Sequence, residues 1–151
     1  MPRPAEILAT VGGTGYTPIA PGTAGSVVGL GLGLLWPSPL LVVLAFLVGV
    51  IVSDQTARRL KRHDPACVVI DECVGMWGVL AWLPQLRAVP VLLLIAFGLF
   101  RFFDIRKPFF LSRLERLPGG WGIMLDDVGA AAYTSFLIWG LLRITELVHG
   151  R

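Results

Sequence analysis

The sequence predicts an all-α protein: a small polytopic bundle of short, partly irregular hydrophobic helices in a membrane, with an acidic site at its cytoplasmic face. Three observations carry this. Hydrophobic residues make up 55% of the 151 and charged residues only 15%, with a mean hydropathy of +0.75, whereas a soluble domain is roughly a quarter charged. The apolar residues gather in five stretches. Five of the ten acidic residues sit in three short motifs against the ends of those stretches.

The length suits a single domain over residues 1–151. So short a soluble chain has too little interior to hide this much apolar surface, because small domains have a high surface-to-volume ratio. The competing class is a very apolar helical domain buried in an oligomer. No internal repeat or low-complexity linker is present. Met1 to Glu6 hold two prolines and an arginine with no uninterrupted apolar run behind them, so a cleavable signal peptide is not expected.

The first stretch, residues 20–36, is glycine-rich, and the spacing of Gly31 and Gly33 would let a second helix approach closely. The second covers residues 40–53, the third 73–83, the fourth 89–103 and the fifth 128–142. A perpendicular span needs about twenty apolar residues. Several stretches therefore have to borrow polar flanks, enter the bilayer only in part, or pack around a polar centre. Pairing one with two and three with four as hairpins brings all three polar connections to one side. The clusters Arg58-Arg59-Leu60-Lys61-Arg62 and Arg106-Lys107 with Arg113 and Arg116 then make that side cytoplasmic by the positive-inside rule. An odd number of crossings would leave the C-terminus opposite. The net charge of +3 is small, and the basic clusters sit beside hydrophobic segments. This favours an anionic membrane face and no nucleic acid. Cys67 and Cys73 fit no common zinc spacing and no disulfide scaffold; they read as plain buried thiols.

The acidic motifs are Asp71-Glu72, Asp104 and Asp126-Asp127. Carboxylates at a membrane edge are costly unless paired, hydrated or bound to a cation. A hard cation such as Mg²⁺ takes carboxylate, water and phosphate oxygens. Each motif alone has a plainer reading. Asp71-Glu72 and Asp126-Asp127 would open helices, where negative charge is favoured, and Asp104 could pair with Arg101 or Lys107. The stretch Thr14 to Ser26, rich in glycine, proline and hydroxyls, ends where a helix should begin. It reads either as an ordinary capped turn or as a phosphate cradle, with Thr23 and Ser26 beside free backbone N–H groups. It is not a Walker loop.

Spacing argues against several phosphate chemistries. A cysteine phosphatase needs an arginine six residues after its thiol, and Cys73 and Val79 occupy those positions. No Asp-x-Asp pair marks an aspartyl-phosphate route, and a histidine-based mechanism would have only His63 and His149, the latter in the terminal tail. What remains is attack by water assisted by a metal. Lys107 or Arg101 would neutralise the phosphate, and one carboxylate, not identified by spacing, would act as base.

At these residues the chain resembles the phosphatidylglycerophosphatase A family. The resemblance rests on Pro21-Gly22-Thr23-Ala24-Gly25-Ser26, on His63-Asp64 with Val69-Ile70-Asp71-Glu72-Cys73-Val74-Gly75-Met76-Trp77, on Phe100-Arg101-Phe102-Phe103-Asp104-Ile105-Arg106-Lys107-Pro108, and on Gly122-Ile123-Met124-Leu125-Asp126-Asp127. These blocks run in the family's order from about residue 12 to 135. The resemblance implies a Mg²⁺-dependent, multi-pass phosphatase of the bacterial inner membrane that converts phosphatidylglycerophosphate to phosphatidylglycerol and phosphate. It implies Asp71, Glu72, Asp104, Asp126 and Asp127 as catalytic carboxylates with Lys107 beside them. Asp71, Glu72, Asp126 and Asp127 would be the metal ligands, and Thr23, Ser26 and Arg101 would lie on the phosphate side. Phe109-Phe110 stand where the family pattern leads us to expect Trp-Pro. Two other readings stay open: a CDP-alcohol phosphotransferase, of whose signature Asp54-Gln55-Thr56-Ala57-Arg58 is only a fragment, and a non-catalytic cation carrier.

Overall fold

A computed structural model describes residues 3–108 and 111–150, apart from the side chain of His149. Phe109-Phe110 lie outside the described residues. The chain is helical, with no strand among the described residues. The helices are α1 (Pro4–Ala9), α2 (Pro21–Leu35), α3 (Pro39–Leu60), α4 (Ile70–Trp82), α5 (Pro90–Arg106), α6 (Leu111–Leu114) and α7 (Gly120–His149). Single 3₁₀ turns fill Thr14–Tyr16 and Pro84–Ala88.

Local chemistry sets the helix starts. Pro21, Pro39 and Pro90 open α2, α3 and α5, where a missing N–H costs nothing and φ is already helical. Ser38 caps α3 by accepting from the Leu41 N–H at 3.4 Å. The five apolar stretches become α2, α3, α4, α5 and α7, with two differences in extent. α3 continues past Ser53 to Leu60, through an Arg58–Asp54 ion pair at 2.8 Å. α7 begins eight residues before the apolar stretch and runs beyond it. Gly120 permits the early start, because a Cβ there would stand 1.9 Å from the Val50 carbonyl oxygen of α3. The Trp121 ring, 5.9 Å from that of Phe46, adds an aromatic contact at the same junction. Asp126 and Asp127 therefore lie in the second turn of a helix and do not cap it.

Helix α4 is the centre of the packing. α2 lies against it along Gly25, Gly29 and Gly33, whose added Cβ atoms would meet Val69 O at 2.7 Å, Cys73 O at 2.1 Å and Leu80 Cβ at 2.7 Å. Small residues thus bring two backbones together, as between membrane helices. Of the two glycines singled out by spacing, Gly33 belongs to this seam and Gly31 faces open space. On its other sides α4 buries Met76, Val79 and Leu80 with Phe100 of α5 and Ile138 of α7. A second cluster joins Val74 to Val52 of α3, Ala9 of α1 and Ile123 and Met124 of α7. The Trp77 indole donates to the Trp36 carbonyl at 2.6 Å, tying the α2–α3 turn to α4. At the other end Glu6 of α1 pairs with Arg59 of α3 and accepts from the Tyr16 hydroxyl at 2.5 Å. Cys67 is half-buried, Cys73 is buried, and both are free thiols.

Among the described residues, two helices, α3 and the Gly120–Val148 portion of α7, are long and apolar enough to cross a membrane. The 13 residues of α4 rise only about 20 Å. Its first turn, with Asp71 and Glu72, is consequently held within the bundle against α2, α5 and α7.

Candidate active site

Five segments meet around one small polar cavity of about 230 Å³: the start of α2, the loop before α4, the first turn of α4, the end of α5 and the second turn of α7. Its lining includes Asp64, Asp71, Glu72, Asp104, Asp126 and Asp127, with Arg101 and Lys107 as the cations. If all were ionised, the six carboxylates would outnumber the two cations by four in this volume.

The carboxylates divide into two sets. Asp71, Glu72 and Asp127 each offer an oxygen such that the three atoms lie within 4.8 Å of one another. Asp71 Oδ1, Glu72 Oε2 and Asp127 Oδ2 are buried without a hydrogen-bond partner. Buried polar atoms are normally satisfied, and like charges this close repel. Three unpartnered hard oxygens fit a divalent cation such as Mg²⁺.

Asp126 belongs to the other set. Neighbouring residues of a helix point about 100° apart, so Asp126 and Asp127 are aimed at different partners. Asp126 Oδ2 lies 2.6 Å from Lys107 Nζ, and its Oδ1 accepts from the Asp127 N–H at 3.0 Å. Lys107 also reaches Glu115 at 3.2 Å. Burial tends to lower the Lys107 pKa, but the hydrogen bond and charge of Asp126, with Glu115 behind them, outweigh it and raise the ammonium above its ordinary value. Lys107 ends α5 at φ +43°, in the left-handed region. Glycine would adopt that backbone at least cost.

Arg101 organises the opposite wall. Its Nη1 pairs with Asp104, stands 3.8 Å from Glu72 Oε1 and donates to Ser26 Oγ at 3.3 Å. Of the partners considered for Asp104, Arg101 is the one in contact. Ser26 in turn donates to the Gly22 carbonyl at 2.9 Å. A Cβ on Gly22 would lie 2.1 Å from Glu72 Oε1, so glycine alone lets the start of α2 close over the carboxylate. Thr23, half-buried beside it, is not among the cavity-lining residues, and the Ser26 hydroxyl is engaged by Arg101 and Gly22.

Asp64 is the lining carboxylate absent from the sequence-derived site. It sits in the loop ahead of α4 and is solvent-accessible as a whole. Desolvation on its protein side raises the carboxyl above the usual aspartate range, opposed by Lys107. Its signal in the sequence was the His63-Asp64 pair, one of the blocks that carry the family resemblance.

A family model described as PgpA, Phosphatidylglycerophosphatase A, matches residues 7–142. Three bacterial relatives align over most of the chain. A protein of Bacteroides thetaiotaomicron named Putative phosphatidylinositol-3-phosphatase is 37% identical, covering 91% of this chain and 95% of its own. A Phosphatidylglycerophosphatase A of Haemophilus influenzae is 40% identical over 92% of this chain and 89% of its own. That of Escherichia coli is 34% identical over 92% and 84% respectively. No solved structure matches the chain.

Proposed function

The chain belongs to the phosphatidylglycerophosphatase A family and is a phosphatase, and we propose that it hydrolyses phosphatidylglycerophosphate to phosphatidylglycerol and phosphate at the acidic cavity. In this reading the enzyme is Mg²⁺-dependent and multi-pass, embedded in the bacterial inner membrane with the cavity open to the cytoplasm. The observation that carries it is the charge imbalance: six carboxylates and two cations line a cavity of about 230 Å³. An anionic phosphate cannot enter so negative a space without a cation. The same cavity nevertheless holds a lysine and an arginine, the residues that complement phosphate.

Asp71, Glu72 and Asp127 are the residues that would hold the metal. When bound, Mg²⁺ supplies charge for phosphate oxygens and makes water a better nucleophile at neutral pH. The protein's own groups do the rest. The Lys107 ammonium, kept charged by Asp126 and Glu115, offsets negative charge on the phosphate as the ester bond breaks. Arg101, held by Asp104, Glu72 and Ser26, orients phosphate from the α2 side. A cavity carboxylate accepts the proton of the attacking water as the new P–O bond forms, and that proton passes to the departing glycerol oxygen as the ester P–O bond breaks. Asp104 and Asp126 act by holding the two cations in place. For the membrane, the support is that α3 and α7 are each long enough to cross. With α2–α3 and α4–α5 as hairpins, both basic connections fall on the cavity's side.

A phosphatidylinositol phosphate presents the same chemistry, a phosphomonoester on a lipid headgroup, and the Bacteroides relative bears such a name. The phosphotransferase reading is weaker, because Asp54 pairs with Arg58 and does not line the cavity. The test is phosphate release by the purified protein in detergent, from phosphatidylglycerophosphate and from phosphatidylinositol 3-phosphate, with Mg²⁺ or with EDTA. Release from the first lipid only, and only with Mg²⁺, is expected. Preference for the inositol lipid overturns the substrate, and equal release in EDTA overturns the metal.

A further inference from the structure

A second, much larger concavity lies outside the acidic cavity, between α3, α4 and α7. It encloses about 1010 Å³ and its lining is almost wholly apolar. The floor is made of small residues, among them Gly75 and Gly78 of α4 and Ala131 and Ala132 of α7. At the far end stand Trp82 and Trp139, both exposed.

The groove and the acidic cavity share no lining residue but adjoin along two helices: Val74 and Gly75 line the groove just beyond Asp71 and Glu72 of α4, and Leu125 and Val128 flank Asp126 and Asp127 of α7. Gly75 follows Asp71 by four residues, and Ala131 follows Asp127 by four. Residues four apart share a helix face, so the stripe that carries Asp127 runs on through Ala131 as groove floor, while Gly75 lines the groove with its backbone and its missing Cβ would face Phe100 of α5. Trp82 lies eleven residues beyond Asp71 and Trp139 twelve beyond Asp127. At 1.5 Å per residue that is about 17 Å, close to the ~15 Å half-thickness of a bilayer's hydrocarbon core. One end thus offers Arg101, Lys107 and a cation-seeking cluster, and the other an apolar trough the depth of one leaflet. Together they complement an anionic amphiphile, polar group to polar end and hydrocarbon to groove.

We propose that this groove seats one acyl chain of the lipid whose headgroup enters the acidic cavity, so that the enzyme selects chain as well as phosphate. The inference rests on the function proposed above. It is tested by comparing kcat/KM for dioleoyl and dihexanoyl phosphatidylglycerophosphate, both in mixed micelles with Mg²⁺. Ala132→Phe narrows the groove from α7 and Val43→Trp narrows it from α3, so a folding failure in one leaves the other. Each should lower the long-to-short ratio about tenfold, mainly through KM, the effect of excluding roughly two methylenes from an apolar site. Leu141→Phe, on α7 outside the groove, should leave the ratio unchanged. An unchanged ratio in both groove variants, with phosphate still released, overturns the acyl site and leaves the phosphatase reading standing. An unchanged ratio with conversion of a detergent-solubilised dimer to monomer overturns it in favour of a second copy of the chain. If the unaltered protein releases phosphate from neither lipid, the functional reading fails and the acyl site with it.

Discussion

Lys107 Nζ lies 2.6 Å from Asp126 Oδ2, a contact that joins the end of α5 to the second turn of α7 beside the acidic cluster. The lysine makes it from a left-handed backbone, φ +43°, which costs a non-glycine residue about 1 kcal/mol. Lys107→Gly should therefore be more stable than Lys107→Ala by about 1 kcal/mol. Both should lose most phosphatase activity, because both remove the ammonium. Thermal melts and turnover on the two variants check this. Equal stabilities would mean that the left-handed backbone carries no strain.

The glycines of α2 should separate into three behaviours. Gly29→Ala puts a Cβ 2.1 Å from the Cys73 carbonyl oxygen, and since backbone cannot yield locally, the α2–α4 seam should lose about 2–3 kcal/mol. Gly31→Ala meets nothing within 4 Å and should gain about 0.5–1 kcal/mol as an ordinary helix substitution. Gly22→Ala meets the flexible ends of Glu72, at 2.1 Å, and Arg101, at 3.1 Å. Those side chains can move, so stability should hold while activity falls about a hundredfold from a misplaced carboxylate. Melting temperature and kcat, measured on all three, decide it.

The helices were legible because their apolar runs, though short, are set apart by polar connections, and proline opens three of them. The meeting of the three acidic motifs was legible because each stands at a segment end. Other features depend on geometry that a linear reading does not hold. Asp126 and Asp127 look equivalent in sequence, yet a helix turns them about 100° apart, one to Lys107 and one to Asp71 and Glu72. The early start of α7 follows from a glycine pressed against Val50 of another helix, a contact with no local signature. Asp64 lies in a loop without periodicity, and only the cavity shows what it faces.

The α1 clamp gives a two-sided pH dependence. The Tyr16 hydroxyl, then Arg59, hold Glu6 below the ordinary 4.5 against some desolvation. The same hydrogen bond, with burial, pushes Tyr16 from 10.0 up to about 12. A depressed carboxylate stabilises above its unfolded pKa and loses this as pH falls through the folded one. A raised phenol stabilises below its unfolded pKa and loses this as pH rises through the folded one. The melting difference between the wild type and Glu6→Gln should thus be level across neutral pH. It should shrink below 4.5 and again between 10.0 and about 12. A difference that stays constant on both sides would remove the clamp as a source of stability.

The metal ligands can be counted by stability alone. Asp71, Glu72 and Asp127 hold three buried, unpartnered oxygens, whereas Asp126 spends its carboxylate on Lys107 and the Asp127 N–H. A ligand that binds only the folded state at a hundred times its Kd adds about 2.7 kcal/mol, or roughly 5–10 °C in Tm for a chain of this size. Mg²⁺ should raise the Tm of the wild type by that order. It should do little for Asp71→Asn, Glu72→Gln or Asp127→Asn. Each of these should also melt higher than the wild type in EDTA, since neutralising one of three crowded carboxylates relieves repulsion. Asp126→Asn should lose turnover through Lys107 yet keep the Mg²⁺ shift. If Asp126→Asn abolished the shift as fully as Asp127→Asn, the metal would be held by all four residues, and Lys107 would have to release Asp126 for the ion to bind.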